Sequence, residues 1–310
     1  MDFKRLRAFL TVAEQGNVTR AAELLHLVQP AVSRQIQLLE QDVGVPLFTR
    51  ERHGMVLTEA GQSLVGYARR AMHEMDRARA EISGVAQGIG GLVTLGLLPS
   101  TVDVLASPLL TAVTSQYPAI QLRLMSGYAG TLAAWLRTGE VDAALLYGAG
   151  HLPDIESKPL VSEPLWVVKP GGARKKAVRP IRLSSLVGQP LILPNPSHGI
   201  RSLLDHACAL QKVTLSVAVE TNALSLQKSL VLSGHGWTIL PPLAVAEELK
   251  RGQLSGAPLS EPAIDRTIAL SLPTARPTGQ AVRAVAQLLL DCMLEAVATG
   301  TWLEGSWMAT

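Results

Sequence analysis

Along the first 90 residues, apolar side chains recur at helical spacing in several segments, each closed by a glycine or a polar break. The first predicted helix covers residues 3–15 and ends at Gly16. Two shorter helices follow at about 19–25 and 29–43, and a tight turn joins them. The second has Pro30 in its first turn, where a missing N–H costs nothing. It buries one face, which consists of Val32, Ile36, Leu39 and Val43.

The opposite face of the 29–43 helix is polar. Hydrogen-bonding side chains clustered at a helix start suit base edges and phosphates in a DNA major groove. A helical hairpin with a solvated face gives the same pattern, so the segments that follow must decide between the two. The polar positions are Gln29, Ser33, Arg34, Gln37 and Gln41.

A short hairpin with a basic tip is predicted after this helix. Two β-prone runs, 47–49 and 55–57, flank a turn over residues 50–54 that contains Arg50 and Arg52. Beside a DNA-facing helix, such a tip would lie along phosphates or in the minor groove. An ordinary solvated loop is the alternative interpretation.

A long helix is predicted from Thr58, which can cap it, to about residue 88. Its apolar residues are separated by alternating gaps of 4 and 3, which is the seam of a coiled coil. We expect this seam to form a dimer, and packing on the helix's own domain is the alternative. The seam residues are Leu64, Ala68, Ala71, Met75, Ala78, Ile82 and Val85.

Beyond the glycine-rich stretch at 88–91, β-prone runs alternate with helical segments. This alternation predicts an α/β architecture with mostly parallel sheets, in a region long enough for two lobes. No glycine-rich nucleotide-binding motif occurs. The predicted strands are 92–97, 120–125, 143–147, 165–168, 191–193, 216–219, 238–240 and 267–272, and the predicted helices are 102–116, 131–138, 200–211, 223–232, 243–250 and 279–298.

Composition is consistent with a multidomain globular protein. The 310 residues are 47% hydrophobic and carry a net charge of only +3, so charge balance alone does not indicate nucleic acid. The two cysteines, Cys208 and Cys292, are far apart, and the histidines show no metal-ligand spacing. The N-terminus lacks a signal-peptide pattern and no apolar run approaches a membrane span, so we expect a cytoplasmic protein.

The sequence disfavours two functions other than DNA binding. An enzyme is disfavoured because no nucleophile, base and orienting group stand together in the sequence. His206 and Cys208 are two residues apart and point to different faces of a helix, so a buried structural cysteine is favoured. A solute-binding protein is disfavoured by the N-terminal DNA-binding pattern and the missing signal peptide.

Residues 21–61, AAELLHLVQPAVSRQIQLLEQDVGVPLFTRERHGMVLTEAG, resemble the signature of the LysR-type transcriptional regulators. The resemblance extends from about residue 3 to residue 293 and includes GEVDAALLYG at 139–148 and GHGWTILP at 234–241. Among subgroups, the chain is similar to the nitrogen assimilation control regulators. The resemblance implies an all-α winged helix-turn-helix DNA-binding domain at 1–58, a linker and dimerisation helix at 59–88, and an α/β two-lobed periplasmic-binding-protein-like effector domain at 91–310, with lobe one at 92–167 and 267–298 and lobe two at 169–266.

The same resemblance implies a sequence-specific regulator that binds an inverted-repeat site in promoter DNA as a homodimer or homotetramer. RNA polymerase is an expected partner, and no cofactor or membrane is implied. Val28 departs from the family, which usually has Ser or Ala there; valine cannot cap the helix, and we expect it to regain part of that loss by packing in the turn. The implied DNA contacts are Thr19, Arg20, Gln29, Pro30, Ser33, Arg34, Gln37, Arg50 and Arg52.

A small-molecule effector is expected between the lobes, where strands end and helices begin. Hydroxyls and helix N-termini there favour an organic anion, although such residues are also ordinary helix caps. Some relatives have an arginine near Gly148, and His198 or Arg201 is a candidate substitute. The nitrogen-control subgroup is thought to act without a coinducer, so a cleft without a signal is the alternative. The candidate effector residues are Ser100, Thr101, Thr131, Asn195, Ser197, His198 and Asn222.

Overall fold

The protein is seen here in a computed structural model that describes residues 2–51, 54–84, 89–148, 152–172 and 179–308. The predicted site residues Arg52 and Val85, and the side chain of Ile82, lie outside the described part. The chain divides into two compact units. One consists of Met1–Leu92 with Thr138–Glu140, and the other of Val93–Arg137 with Val141–Thr310.

The first unit is a three-helix core with a β-hairpin and a long helix. The core is built from side chains with essentially no exposure, among them Phe9, Val12, Val32 and Leu39. The predicted ends of the first and third helices, directly before Gly16 and at Val43, are confirmed. The elements are α1 (Phe3–Gln15), α2 (Val18–Leu24), α3 (Gln29–Val43), β1 (Phe48–Glu51), β2 (Gly54–Leu57) and α4 (Glu59–Gly84).

Helix α4 begins as predicted, because the Gly61 amide donates to the Thr58 hydroxyl at 3.0 Å. The first half of its apolar seam packs on its own domain. Ala68 is 1% exposed within the three-helix core, and Leu64 and Ala71 pack against the same core. This half of the seam therefore follows the alternative interpretation, in which the helix packs on its own domain. The 4–3 spacing fits a partner surface within the chain as well as a second helix outside it. Farther along, the side chain of Ala78 is exposed.

The second unit has two lobes, each built on sheets of its own. The first lobe has six strands in the order β14-β6-β13-β5-β3-β4. The second lobe has four strands in the order β11-β7-β12-β8 and a pair, β10-β9. The strands are β3 (Gly91–Leu97), β4 (Ile120–Ser126), β5 (Ala143–Tyr147), β6 (Ile155–Pro164), β7 (Trp166–Pro170), β8 (Ile181–Arg182), β9 (Pro190–Pro194), β10 (Ser216–Thr221), β11 (Thr238–Leu240), β12 (Leu254–Ser260), β13 (Asp265–Pro273) and β14 (Ser306–Trp307).

In the described part of the second unit, six α-helices pack on these sheets. Helices α5 and α10 lie on the first lobe, where Leu105, Leu109 and Leu289 are fully buried. Among the described residues, no helix combines the length and apolarity that a membrane crossing requires. The helices are α5 (Val102–Gln116), α6 (Ala129–Thr138), α7 (Gly199–Gln211), α8 (Leu224–Leu232), α9 (Ala246–Lys250) and α10 (Gln280–Ala298).

The prediction of mostly parallel sheets is wrong. Strand β13 runs antiparallel to both β5 and β6, and β7 runs antiparallel to both β11 and β12. Strand β6 is not predicted by the sequence pattern, because Pro159 interrupts it and Pro164 ends it, and Pro159 lies where the register with β13 shifts. Proline is tolerated at such irregular positions. The predicted first lobe also omits the C-terminal strand β14, which pairs with β6.

Candidate functional site

Helix α3 presents its polar side to solvent because its apolar side is fixed in the core. Val32, Ile36 and Leu39 are at most 4% exposed, so the residues between them point outward. Of the predicted contact residues on this helix, Gln29, Pro30, Arg34 and Gln37 are exposed and Ser33 is half-buried.

Near the start of α3, a hydrogen bond orients the Gln29 side chain, and the Arg34 side chain is exposed to solvent. The Gln29 side-chain amide donates to the Ser33 hydroxyl at 3.1 Å, which leaves the amide oxygen of Gln29 to accept from a ligand. The Arg34 guanidinium is exposed and forms no ion pair within the described part of the chain. By contrast, Arg5 on α1 is tied to Asp42 at 2.5 Å. An unpaired arginine beside an amide is a suitable donor set for base edges.

Val28 precedes α3 as its N-cap residue and leaves the helix start uncapped. No side chain at this position accepts from the first turn, and this omission costs about 1 kcal/mol. The expectation that Val28 regains this by packing in the turn is wrong, because its side chain is 70% exposed. The turn is filled instead by residues of α2 such as Ala22, whose carbonyl accepts from the Leu27 amide at 2.9 Å.

The first turn of α2 lies at the surface as well. Thr19 and Arg20 are exposed, and the Asn17 side chain accepts from their backbone amides at 2.8 and 3.2 Å. This cap orients the N-terminus of α2 and leaves the Arg20 guanidinium without an ion pair among the described residues. Both predicted residues are thus available for phosphate contacts.

The hairpin is anchored to the three-helix core at both of its strands. The Glu40 carboxylate on α3 accepts from the amides of Leu47 and Phe48 at 2.8 and 3.3 Å. On the other strand, Gly54 lies so close to the Gly16 carbonyl that a Cβ would come within 2.2 Å of the oxygen. Arg50 pairs with Met55 in the ladder and its side chain is exposed.

A cavity of about 620 Å³ opens in the second unit and gathers five of the predicted effector residues. No carboxylate side chain is among the described residues that line it. Its predicted lining residues are Thr131, Asn195, Ser197, His198 and Asn222, and Tyr128 and Trp135 add aromatic surface.

The N-terminal ends of three helices line this cavity. They are the first turn of α6 at Gly130, the start of α7 at Gly199, and the start of α8 at Leu224. Free backbone N–H groups and the positive end of the helix dipole favour negative charge at such ends. The cavity therefore suits a ligand with at least one anionic group.

His198 is held in the cavity wall as a neutral ring. Its Nδ1 accepts from the Ile200 amide at 3.2 Å, and its Nε2 lies 2.9 Å from the Tyr147 hydroxyl. The ring of Tyr128 meets it edge-on, with centroids 4.3 Å apart. Burial, together with the positive charge of Arg266, lowers the pKa of His198 to about 4. His198 is therefore a hydrogen-bonding group and not the substitute cation expected for an acidic effector.

Ser100 lies at the buried end of the cleft and is bound to a residue that the sequence did not single out. Its hydroxyl accepts from the Arg266 guanidinium at 2.7 Å. Arg266 is also paired with Glu163, whose second carboxylate oxygen accepts from the Trp302 indole at 2.9 Å. The guanidinium lies 5.0 Å from the centre of the Tyr147 ring. An arginine directly before the predicted strand at 267–272 was the one available signal for this cluster.

Two other candidates are directed elsewhere. Thr101 is fully buried and its hydroxyl donates to the Leu98 carbonyl at 2.9 Å, so it does not line the cavity with the other predicted residues. Arg201 donates to Asp205 and Glu220 at 2.9 and 2.8 Å and is not part of the cavity wall either. Thr101 bonds the turn before α5, and Arg201 links α7 to Glu220 on β10.

Comparison with known proteins gives two family matches that together span most of the chain. A model described as LysR substrate binding domain matches residues 86–293, and a model of the bacterial regulatory helix-turn-helix protein, lysR family, matches residues 3–62. The chain is 28% identical over 292 residues to the nitrogen assimilation regulatory protein nac of Klebsiella aerogenes, covering 94% of this chain and 95% of that protein. It is 30% identical over 270 residues to the transcriptional regulator BbuR of Bordetella bronchiseptica, covering 87% and 83%.

Solved structures show the same architecture. A full-length OxyR variant from Pseudomonas aeruginosa superposes with a TM-score of 0.65 at 26% identity, over 94% of each chain. Full-length CbnR in complex with its target DNA superposes with a TM-score of 0.70 at 21% identity, over 96% of this chain and 100% of that one. The second likeness concerns the fold alone.

Proposed function

Since the chain belongs to the LysR family and is a sequence-specific DNA-binding transcriptional regulator rather than an enzyme, we propose that it reads promoter DNA with the N-terminal half of α3. In this arrangement Gln29, Ser33 and Arg34 face base edges in the major groove. Thr19, Arg20 and Arg50 hold the phosphate backbone on either side. Pro30, Gln37 and Arg52 complete the proposed contact face.

One observation carries this proposal: the exposed guanidinium of Arg34 has no ion pair in the described part of the chain, beside a polar pair at the helix start. Arg5 on α1, by contrast, is held in an ion pair with Asp42. Leaving Arg34 unpaired avoids the cost of breaking an ion pair when a guanine is bound.

We propose further that the protein acts as a homodimer or homotetramer on an inverted-repeat site. The support is the second half of the α4 seam, where Met75 is half-buried and Ala78 is exposed, and where Ile82 and Val85 continue the same spacing in the sequence. Two-fold symmetry of the protein then matches two-fold symmetry of the site. Residues 1–58, 59–88 and 91–310 are the proposed DNA-binding, linker and effector-binding parts, and the cytoplasm and RNA polymerase are the proposed compartment and partner.

Genome-wide mapping of bound fragments, followed by footprinting of the strongest ones, tests this function. We expect protection of an inverted repeat whose half-sites lie about one or more helical turns apart on the same face of the duplex. Protection of a single asymmetric half-site would contradict the oligomeric reading. Equal occupancy of unrelated fragments would contradict sequence-specific contacts by α3.

For the effector, we propose a small organic anion bound in the 620 Å³ cavity. The support is the meeting of three helix N-termini around Thr131, His198 and Asn222, with no carboxylate side chain in the described wall. Calorimetric titration with a panel of small monocarboxylates and dicarboxylates, and with the matching amides, tests it. Binding of the amides as tightly as the acids would contradict an anionic ligand.

A further inference from the structure

Val28 is an apolar side chain at a place where the fold has no use for one. It is 70% exposed, it immediately precedes α3, and its side chain accepts no hydrogen bond from the helix start, where only its backbone carbonyl accepts, from the Ala31 amide at 2.9 Å. Serine or asparagine at the same position would cap the helix with a polar side chain that is compatible with exposure to water. In the described part of the chain, Val28 therefore contributes neither a cap nor buried packing.

Its position is that of a residue that meets base edges. Val28 adjoins Gln29, whose amide is already oriented by Ser33, and it lies at the same end of the helix as the unpaired Arg34. The N-terminal residues of a recognition helix are those that reach furthest into the major groove. The apolar feature of that groove is the 5-methyl group of thymine.

We infer that Val28 contacts the 5-methyl group of a thymine and so contributes to the sequence preference of the protein. This inference rests on the proposed placement of α3 in the major groove. The exposed isopropyl group loses its contact with water when it meets the methyl group, and this gain is absent when the base lacks the methyl. Valine at this position leaves the helix without a side-chain cap and provides a group that distinguishes thymine from the other bases.

An apolar protein partner is the other occupant to consider, because Leu24 and Leu27 on the same turn are 57% and 48% exposed. The polar and basic groups around Val28 favour DNA over such a partner. Arg20, Gln29 and Arg34 are all exposed nearby in the sequence, and none of them has an acidic partner in the described part of the chain. A protein surface that covered Val28 would have to desolvate these groups as well.

The experiment begins with the full-length protein and a pool of random-sequence duplexes, from which the preferred site is selected. Each thymine in one half-site is then replaced singly by deoxyuridine, which removes only the methyl group. Dissociation constants are measured by fluorescence anisotropy for the wild type and for Val28→Ala. At one thymine, we expect the wild type to bind the deoxyuridine duplex about fourfold more weakly, the value of one buried methyl group, and Val28→Ala to bind both duplexes equally.

Two further variants separate this contact from a structural role. Val28→Ser restores a capping side chain, so its thermal midpoint should rise while its preference for thymine over deoxyuridine disappears. Leu27→Ala removes an exposed apolar neighbour and should keep the preference of the wild type. A variant that changed all duplexes equally would reveal a structural effect and not a contact.

The inference is overturned if deoxyuridine weakens the wild type and Val28→Ala equally at every thymine. In that case the proposed placement of α3 in the major groove is unaffected, and only the proposed contact of Val28 with thymine is contradicted. If the wild type enriches no common sequence from the pool, the proposed placement of α3 fails and the inference fails with it.

Discussion

Arg266 and Glu163 form a salt bridge whose two side chains are 2% and 0% exposed, with the guanidinium Nε 2.6 Å from the carboxylate oxygen. They lie 103 residues apart in the sequence and meet where β13 runs antiparallel to β6. The bridge neutralises the only cation in the wall of the deep end of the cleft, as far as the described residues extend. An anionic ligand therefore depends on helix N-termini for its attraction.

Loss of the Glu163 charge should destabilise the second unit strongly. Glu163→Gln leaves the buried Arg266 cation uncompensated, and we expect the free energy of unfolding to fall by about 3–5 kcal/mol. Chemical denaturation measures this change. The double variant Glu163→Gln with Arg266→Met removes both charges and should recover part of the loss. A double variant less stable than Glu163→Gln would show that the bridge is not the cause.

Arg34→Ala should weaken binding to the selected promoter site by about 1–3 kcal/mol and relax the preference at one base position. The guanidinium is exposed and unpaired, so its removal costs the fold little. Gel-shift titration against the selected site and against single-base variants measures both effects. Arg123→Ala, which removes an exposed arginine from β4, is the matched control. If both variants lost the same affinity for the selected site, the change in net charge would explain the effect and a specific contact by Arg34 would be contradicted.

Ala78→Glu should weaken the dimer through the exposed part of the α4 seam. The charge would be placed where a second α4 is proposed to pack, and its burial there is unfavourable. Ala71 is a poorer choice because it packs against the core of its own domain. Analytical ultracentrifugation of Ala78→Glu beside Gln62→Glu, an exposed position off the seam, measures the effect. An unchanged dimer would assign dimerisation to another surface.

Acidification should destabilise the protein through His198. Its pKa in the folded state is about 4 and its ordinary value is 6.5, so the unfolded chain takes up the proton first. This residue costs nothing above pH 6.5, and its cost grows as the pH falls from 6.5 towards 4. The free energy of unfolding at pH 7 and pH 5 should thus differ more in the wild type than in His198→Gln. The same difference in both proteins would show that carboxylates alone are responsible.

Thr131→Val should reduce effector affinity while leaving DNA binding unchanged. Thr131 lines the cavity in the first turn of α6, and valine keeps the shape of the side chain but removes the hydroxyl. Calorimetry with the organic acids and gel shift with the selected site measure the two properties separately. Thr114→Val, on the exposed surface of α5, is the control. Parallel loss of both activities would indicate a structural role.

Helices α1 and α3 could be predicted to the residue because their ends are local events, whereas α2 begins and ends one residue before its predicted bounds. Gly16 and Gly44 take left-handed backbone conformations with φ of 62° and 82°, which glycine adopts readily, so the chain leaves the helix there. The polar face of α3 follows directly from the position of its apolar face. These features need no knowledge of residues distant in the sequence.

The cleft could be predicted only in part, because its polar centre is assembled over long sequence separations. Ser100 was predicted as a ligand contact from its place after a strand, yet its partner Arg266 lies 166 residues away. Thr101 is the next residue and also carries a hydroxyl, but this hydroxyl donates to the backbone carbonyl of Leu98 instead. Local pattern cannot distinguish a hydroxyl that faces the cavity from one that caps the chain.

The indole of Trp302 reaches back to Glu163, and β14 lies beside β6 at the far end of the chain. The hydrogen bonds of the ion pair at the floor of the cleft are therefore complete only when the chain has been synthesised through Trp302. A nonsense mutation or frameshift near residue 300 would alter ligand binding as surely as one in the cleft itself. For the same reason, an affinity tag for purification is better placed before α1 than after Trp307.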